Sequence, residues 1–179
     1  MKYTRTAMTL HWLIALLIFI AFPLGIYMHE LPLSPTKLKL YSYHKWVGVT
    51  VFTLTLVRLL WRTTHQPPPL PSSITRWQQR ASHVAHYLLY ALLIAVPVSG
   101  WLMSSAKGVQ TVWFGILALP DLVPRDKALS ELLNTAHWGM NITLLTLVVV
   151  HVLAGLKHHF IDRDNVMSRM LFSNKVKSS

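Results

Sequence analysis

The chain has 179 residues, of which 53% are hydrophobic and only 13% are charged. This composition is too apolar for an ordinary soluble domain of this length and indicates a membrane protein. Cysteine is absent, which excludes a thiolate-bound iron–sulfur cluster, a covalently attached haem and any disulfide. The formal net charge is +11, but the basic residues are dispersed at the ends of apolar stretches, so we expect membrane lipid and not nucleic acid as the partner.

Four apolar stretches are each close to the roughly 20 residues that a bilayer requires. We therefore predict an all-α membrane protein, a single domain over residues 1–179 that forms a bundle of four transmembrane helices. The first stretch lacks a small-residue cleavage pattern, so we expect it to remain as a helix and not to be removed as a signal peptide. The approximate spans are Ala7–Tyr27, Tyr41–Trp61, His83–Met103 and Asn134–Leu156.

Two of the connections carry information of their own. The proline run Gln66–Pro71 cannot continue a helix and predicts a short extended loop between the second and third helices. The longest connection, Ser104–Leu133, contains the apolar segment Val109–Leu119, which at about ten residues is too short to span a bilayer. We predict that this segment forms an interfacial cap over the bundle, with Trp101 and Trp113 at the boundary.

The distribution of lysine and arginine predicts the orientation of the bundle. Eleven of these 17 residues lie on the side of the N-terminus, the middle loop and the C-terminus. By the positive-inside rule, we expect both termini on the cytoplasmic side of the membrane. The eleven are Lys2, Arg5, Arg58, Arg62, Arg76, Arg80, Lys157, Arg163, Arg169, Lys175 and Lys177.

The histidines give the strongest functional signal. His137 and His151 are fourteen residues apart in the fourth stretch, a spacing that returns to within about 40° of the same helix face after a rise of about 21 Å. With the predicted topology, His44 shares the outer level with His137, and His11 shares the inner level with His151. Bis-histidine ligation of two b haems needs two such opposed pairs. His86 also lies at the inner level, and depth alone does not separate it from His11.

Two other interpretations of these histidines compete with haem. A single histidine near a helix end is usually an interfacial residue, but four histidines matched in depth on three helices favour ligation. Imidazole also suits zinc, which would indicate a haem-free metal transporter. Such a site usually needs clustered ligands and carboxylates, and none of the six acidic residues lies inside an apolar stretch.

Several segments resemble the bacterial cytochrome b561 family, which is related to the cytochrome b subunits of formate dehydrogenase and nickel–iron hydrogenase. The resemblance covers nearly the whole chain, and its longest segment is Leu156–Asn165. It implies an inner haem held by His11 and His151 and an outer haem held by His44 and His137, which leaves His86 outside the ligand set. The other matching segments are Thr9–Trp12, His44–Gly48, Val57–Arg62 and Val112–Gly115.

The resemblance also implies a function. We expect two b haems to carry electrons across a bacterial inner membrane between the quinone pool, ubiquinone or another quinone, and a periplasmic redox partner. Similar bacterial family members act as superoxide oxidases, which take an electron from periplasmic superoxide and reduce ubiquinone. The alternative is an anchor and electron-relay subunit of a larger membrane oxidoreductase, which would dock a protein at the outer surface.

Two further residues are candidates at the inner end. Arg58 is the arginine placed inside a span, and it either contacts a haem propionate or the ligand pocket, or extends to the inner headgroups. His158 follows His151 by seven residues, on the same face and about 10 Å nearer the cytoplasm. An imidazole there could accept a proton from a quinol, and the resemblance makes a quinone site plausible. Alternatively, His158 and His159 form a polar helix end.

Three lysines, Lys37, Lys39 and Lys45, lie beside the predicted outer haem. Their charge could attract an anionic donor or an acidic redox protein, although a solvated basic loop has the same composition.

Overall fold

The computed structural model describes residues 2–69, 71 and 74–172. The predicted Lys175 and Lys177 of the basic tail lie outside the described residues. Four long helices, joined by short segments, account for most of the chain, as predicted. They are α1 (Arg5–Glu30), α2 (Pro35–Thr64), α3 (Arg76–Ala106) and α4 (Lys127–Phe160), with strands β1 (Val112–Trp113) and β2 (Leu117–Ala118) before α4 and a 3-10 helix (Met167–Met170) after it.

The helices are longer than the predicted spans because polar capping residues, and not the limits of the apolar stretches, fix their ends. The hydroxyl of Thr4 accepts a hydrogen bond from the Ala7 N–H at the start of α1. The Asp126 carboxylate accepts one from the Leu129 N–H, so α4 begins seven residues before the predicted span. Between α2 and α3 the described residues contain no helix, in agreement with the predicted proline loop.

Three helices in the described part of the chain, α1, α3 and α4, are long and apolar enough to cross a membrane. Their large apolar side chains are exposed, including Phe19, which is 65% exposed, and Leu153, which is 59% exposed. Exposure of so much apolar surface fits helices that face lipid. The second helix is not among the three, and its apolar stretch contains Lys45 and Arg58. Its crossing of the membrane stays a prediction.

Consecutive helices pack against one another, α1 on α2, α2 on α3 and α3 on α4. A buried apolar cluster joins all four at mid-height, and Leu144 is its member on α4. Since Leu144 is seven residues from both His137 and His151, this cluster separates two levels at which histidines gather. The cluster consists of Ile14, Val51, Leu93, Val96 and Leu144.

Both ends of the described chain lie at one end of the bundle, which we call the terminal end. There the Trp61 indole N–H donates to the Thr4 hydroxyl over 2.9 Å. The Trp12 indole N–H donates to the Met170 carbonyl over 2.8 Å. The segment that follows α4 therefore crosses the terminal end of the bundle and contacts α1.

The opposite end, which we call the hairpin end, carries β1 and β2 as an antiparallel hairpin. Phe114 and Gly115, in the three-residue loop between the paired residues Trp113 and Leu117, both have positive φ, 50° and 72°. The indole N–H of Trp46 donates to the Val112 carbonyl over 2.7 Å, and that of Trp113 donates to a hydroxyl on α2. The segment predicted as a cap is thus a hairpin fixed to α2, and its position at the membrane interface stays a prediction.

Candidate functional site

Four of the predicted histidines form two opposed pairs. The ring centroids of His11 and His151 are 6.1 Å apart at the terminal end, with planes inclined at 80°. Those of His44 and His137 are 6.4 Å apart at the hairpin end, with planes inclined at 83°. We call these the terminal pair and the hairpin pair. An imidazole nitrogen binds a metal at about 2 Å and lies about 1 Å from the ring centre, so two trans ligands of one iron have centroids about 6 Å apart.

A third imidazole is present at the terminal end. The ring of His86 lies 5.4 Å from that of His151, at an interplanar angle of 79°. Its Nδ1 is 2.7 Å from the carbonyl of Ser82, one turn earlier on α3. The structure therefore brings both candidate partners to His151, and the His11 separation is the nearer of the two to about 6 Å.

Backbone and side-chain contacts hold the His137 ring in one orientation. Its Nδ1 is 3.1 Å from the Val96 carbonyl and 2.9 Å from the Ser99 hydroxyl. Because a carbonyl only accepts hydrogen bonds, Nδ1 carries the proton and Nε2 keeps its lone pair, the state of a metal-bound histidine. In His44, Nδ1 is buried and has no hydrogen-bond partner of standard geometry among the described residues.

Two glycines provide the space that these rings occupy. A Cβ added to Gly25 would lie 3.1 Å from Cε1 of His44, and one added to Gly100 would lie 3.2 Å from Cε1 of His137. An apolar cavity adjoins the pair on the side of the core and is lined by side chains such as Phe22. The opposed rings, the glycine cradle and the apolar wall fit a planar, largely apolar macrocycle held by two histidines.

At neither histidine pair do the described residues provide the additional ligands that a zinc ion needs. Among the described residues, one group of three side chains could ligate a metal ion. It consists of His158, Asp162 and Asp164. That group contains neither pair. A structural or transport zinc site would need more than two ligands around each metal.

Arg58 lies within the bundle at the terminal end. Its Nη1 donates to the Ala7 carbonyl over 2.6 Å, and its Nε donates to the Tyr90 hydroxyl over 3.1 Å. Ala7 is one turn before His11 on α1, so the guanidinium joins α1 to α3 close to the terminal pair. These hydrogen bonds offset the free-energy cost of placing the guanidinium charge within the bundle.

His158 belongs to a hydrogen-bonded network beyond the terminal pair. Its Nδ1 lies 2.6 Å from Oδ2 of Asp164 and 3.4 Å from Oδ2 of Asp162. The Lys157 ammonium binds both oxygens of Asp162, at 2.8 and 2.6 Å. With a lysine already bound to one carboxylate, the group of three is an ion-pair network and a poor cation site.

The three lysines predicted to lie beside the outer haem belong to α2, at the hairpin end. Lys37 donates to the carbonyls of His29 and Leu31, and Lys45 donates to the carbonyl of Val109. Their ammonium groups therefore fix local backbone. Lys39 lies over the ring of Tyr43 at 6.0 Å.

A polar cavity of about 440 Å³ lies at the same end, and its lining includes His29, Tyr41, Lys107 and Asn134. Tyr41 and Asn134 each precede a residue of the hairpin pair by three positions, so the cavity adjoins that pair. Lys107, a lysine that the sequence did not single out, brings a positive charge to this cavity, and Glu131 brings a negative one.

Helices of membrane-crossing length with opposed imidazoles at two levels define the class of histidine-ligated membrane cytochromes. The family model described as "Prokaryotic cytochrome b561" matches residues 2–173. The chain therefore belongs to the prokaryotic cytochrome b561 family, a family of membrane proteins that bind b-type haem. This finding confirms the resemblance noted in the sequence.

Individual relatives agree with this assignment. Cytochrome b561 homolog 2 of Escherichia coli (strain K12) is 34% identical over 174 residues, which are 95% of this chain and 91% of the relative. Cytochrome b561 homolog 1 of the same strain is 26% identical and matches 95% of this chain and 97% of its own. The probable superoxide oxidase CybB of Yersinia pestis is also 26% identical, over 95% of this chain and 96% of the relative.

The sequence interpretation missed Gly25, Gly100 and Ser99. A glycine within a helical stretch indicates close packing, but the sequence does not show which side chain packs against it. We expect Gly100→Val to displace the His137 ring and to lower haem affinity at the hairpin pair about ten- to a hundredfold, as disturbed outer-shell contacts do. Haem content per protein measures this.

The matched control is Gly139→Val. Gly139 lies on α4 two residues from His137, and a Cβ there meets nothing within 4 Å. Both variants place a β-branched residue within a helix, so the difference between them isolates the contact with the ring. Equal haem content in the two variants would contradict the proposed cradle.

Proposed function

We propose that the chain binds two b haems, one at the terminal pair and one at the hairpin pair, and carries electrons across the bacterial inner membrane. The observation that supports this most directly is the near-equal spacing of the two pairs, 6.1 and 6.4 Å between ring centroids. Family membership supports b-type haem as the group between the rings. The bound iron supplies the redox chemistry, and the protein supplies position and electrostatics.

In this proposal α2 crosses the membrane beside the other three helices, with both termini in the cytoplasm. Arg58 near the end of α2 reaches Ala7 at the terminal end, while Trp46 near its start contacts the hairpin. The helix thus extends along the bundle from one level of histidines to the other. The excess of lysine and arginine at the terminal end supports the cytoplasmic orientation.

The partner at the hairpin end is, in this proposal, the superoxide anion. Each superoxide gives one electron and becomes dioxygen, and two such electrons with two protons convert a quinone into a quinol. A polar cavity next to the hairpin pair has room for a small anion, and its wall contains the Lys107 ammonium together with Glu131, whose carboxylate lies 4.0 Å from Lys127. The relative named a probable superoxide oxidase supports the same donor.

At the terminal end, we assign the quinone to the region of Arg58 and His158, where polar groups surround the terminal pair. The relay-subunit alternative keeps the haems but needs a tightly bound protein partner. The two proposals therefore differ in what meets the hairpin end and not in how the haems are held.

The test uses the purified protein in mild detergent. We expect about two b haems per chain in a reduced-minus-oxidised spectrum, reduction of these haems by enzymatically generated superoxide, and reoxidation by a ubiquinone analogue. Lys107→Ala should slow reduction by superoxide and weaken its dependence on ionic strength. Lys39→Ala, which removes an exposed lysine of the hairpin end that does not line this cavity, is the matched control.

Haems that superoxide does not reduce, in a protein that co-purifies with a redox partner, would favour the relay subunit. Absence of haem bands would overturn both proposals.

A further inference from the structure

We infer that Asp164 is a positioning residue for quinone chemistry: its carboxylate orients the His158 imidazole so that Nε2 exchanges a proton with a quinone oxygen. This inference rests on the proposed function, which provides the quinone and the electrons. It adds a residue to which the sequence assigned no chemistry.

The turn after α4 is built around the Asp164 carboxylate. One oxygen, Oδ2, lies 2.6 Å from Nδ1 of His158, and the other, Oδ1, accepts the Val166 N–H over 2.9 Å. The Asp164 N–H donates to the His158 carbonyl over 3.1 Å. Arg163, between α4 and Asp164, has a φ of 52°, in the left-handed region that residues other than glycine rarely adopt. Backbone and side chain together therefore hold this carboxylate against the imidazole.

This contact determines which nitrogen of His158 is available. A carboxylate accepts hydrogen bonds, so Nδ1 of His158 carries the proton and Nε2 presents its lone pair. When Nε2 takes up a proton, the adjacent carboxylate stabilises the imidazolium, as a buried aspartate does for a catalytic histidine. The side chains of His158 and Asp164 are 20% and 13% exposed, which limits screening by water.

The protons that quinone chemistry requires give His158 and Asp164 a role. Conversion of a quinone into a quinol consumes two electrons and two protons, and the reverse conversion releases them. A bound haem would supply the electrons one at a time, while His158 gives one proton from Nε2 during reduction and accepts one during oxidation. The second proton is exchanged with water at the terminal end. Water at the terminal end restores the protonation state of His158 after each step.

The chain contains a matched control in Asp162. Its Oδ2 lies 3.4 Å from Nδ1 of His158, but both of its oxygens are bound by Lys157. The Asp162 side chain is 29% exposed, more than twice the 13% of Asp164. A general effect of negative charge at the helix end would appear in both variants, whereas orientation of His158 depends on Asp164.

The experiment measures reduction of a soluble ubiquinone analogue with enzymatically generated superoxide as the electron donor, with the holoprotein in detergent. We expect Asp164→Asn to keep the haem content and the dithionite-reduced spectrum and to lower kcat about a hundredfold with little change in KM, because an amide can hold the wrong tautomer. Asp162→Asn should stay within about twofold of the wild type. Asp164→Glu, which keeps the charge, should recover part of the rate.

A double-mutant comparison separates orientation from a structural role. If Asp164 acts through His158, adding Asp164→Asn to His158→Ala should not slow the reaction further. A further loss in the double variant, or a wild-type rate in Asp164→Asn, would overturn the inference. If Asp164→Asn loses its haem, His158→Ala carries the test, and a wild-type rate in that variant overturns the inference. A wild-type protein that transfers no electrons from superoxide to the ubiquinone analogue would instead overturn the proposed function.

Discussion

Replacement of His137 by alanine is expected to remove one haem and leave the other, so that the ratio of haem to protein falls from about two to about one. His137 faces His44 across 6.4 Å, and its loss leaves a single ligand at the hairpin end. The terminal pair shares no side chain with it. Electron transfer from a donor at the hairpin end to the quinone should then stop, because one of the two redox centres is missing.

The bundle itself should survive this change. His137 contributes a hydrogen bond to the Val96 carbonyl, and loss of such a bond costs about 1 kcal/mol. A pyridine haemochrome assay with a protein determination measures the ratio. His159→Ala is the control, since His159 lies on the same helix, packs against Phe160 and belongs to neither pair. A His137→Ala protein that keeps both haems would show that the pairing is wrong.

Much of this site could be predicted because it depends on helix periodicity. The fourteen-residue spacing of His137 and His151 fixes their common face and their separation whatever else the chain does. The depth of His11 and His44 follows from where their apolar stretches begin. The lengths of the apolar stretches likewise predicted the four helices. For α2, which has Lys45 and Arg58 in its apolar stretch, composition does not decide whether the helix crosses the membrane.

The contacts that orient the rings could not be predicted, because they depend on how each helix is rotated about its own axis. The approach of Gly100 and Ser99 to His137 joins residues that are 37 and 38 positions apart. The Asp164 contact to His158 depends on a turn in which Arg163 adopts a positive φ, for which the sequence has no glycine as a signal. Lys107 was missed for a similar reason, since its place in the polar cavity depends on where α3 ends.

Depth alone left two candidates, His11 and His86, for the partner of His151 at the terminal end. We expect His11→Ala to remove the haem of the terminal pair and His86→Ala to leave it in place. Trans ligands of one iron require centroids about 6 Å apart. His11 lies 6.1 Å from His151, whereas His86 lies at 5.4 Å. His86→Ala should therefore alter the midpoint potential of that haem while the ratio of haem to protein stays near two.

The two variants also test where the haem lies between the helices. Ligation by His11 requires a haem between α1 and α4, next to the guanidinium that Arg58 places on Ala7. Ligation by His86 would move the haem toward α3. The contact between Nδ1 of His86 and the Ser82 carbonyl would then orient the ligand. A low-spin ferric spectrum and full haem content in His11→Ala, together with haem loss in His86→Ala, would select the second arrangement. That result would place the terminal haem nearer to Tyr90, whose hydroxyl accepts a hydrogen bond from Nε of Arg58, and the quinone site would then have to be sought beside α3.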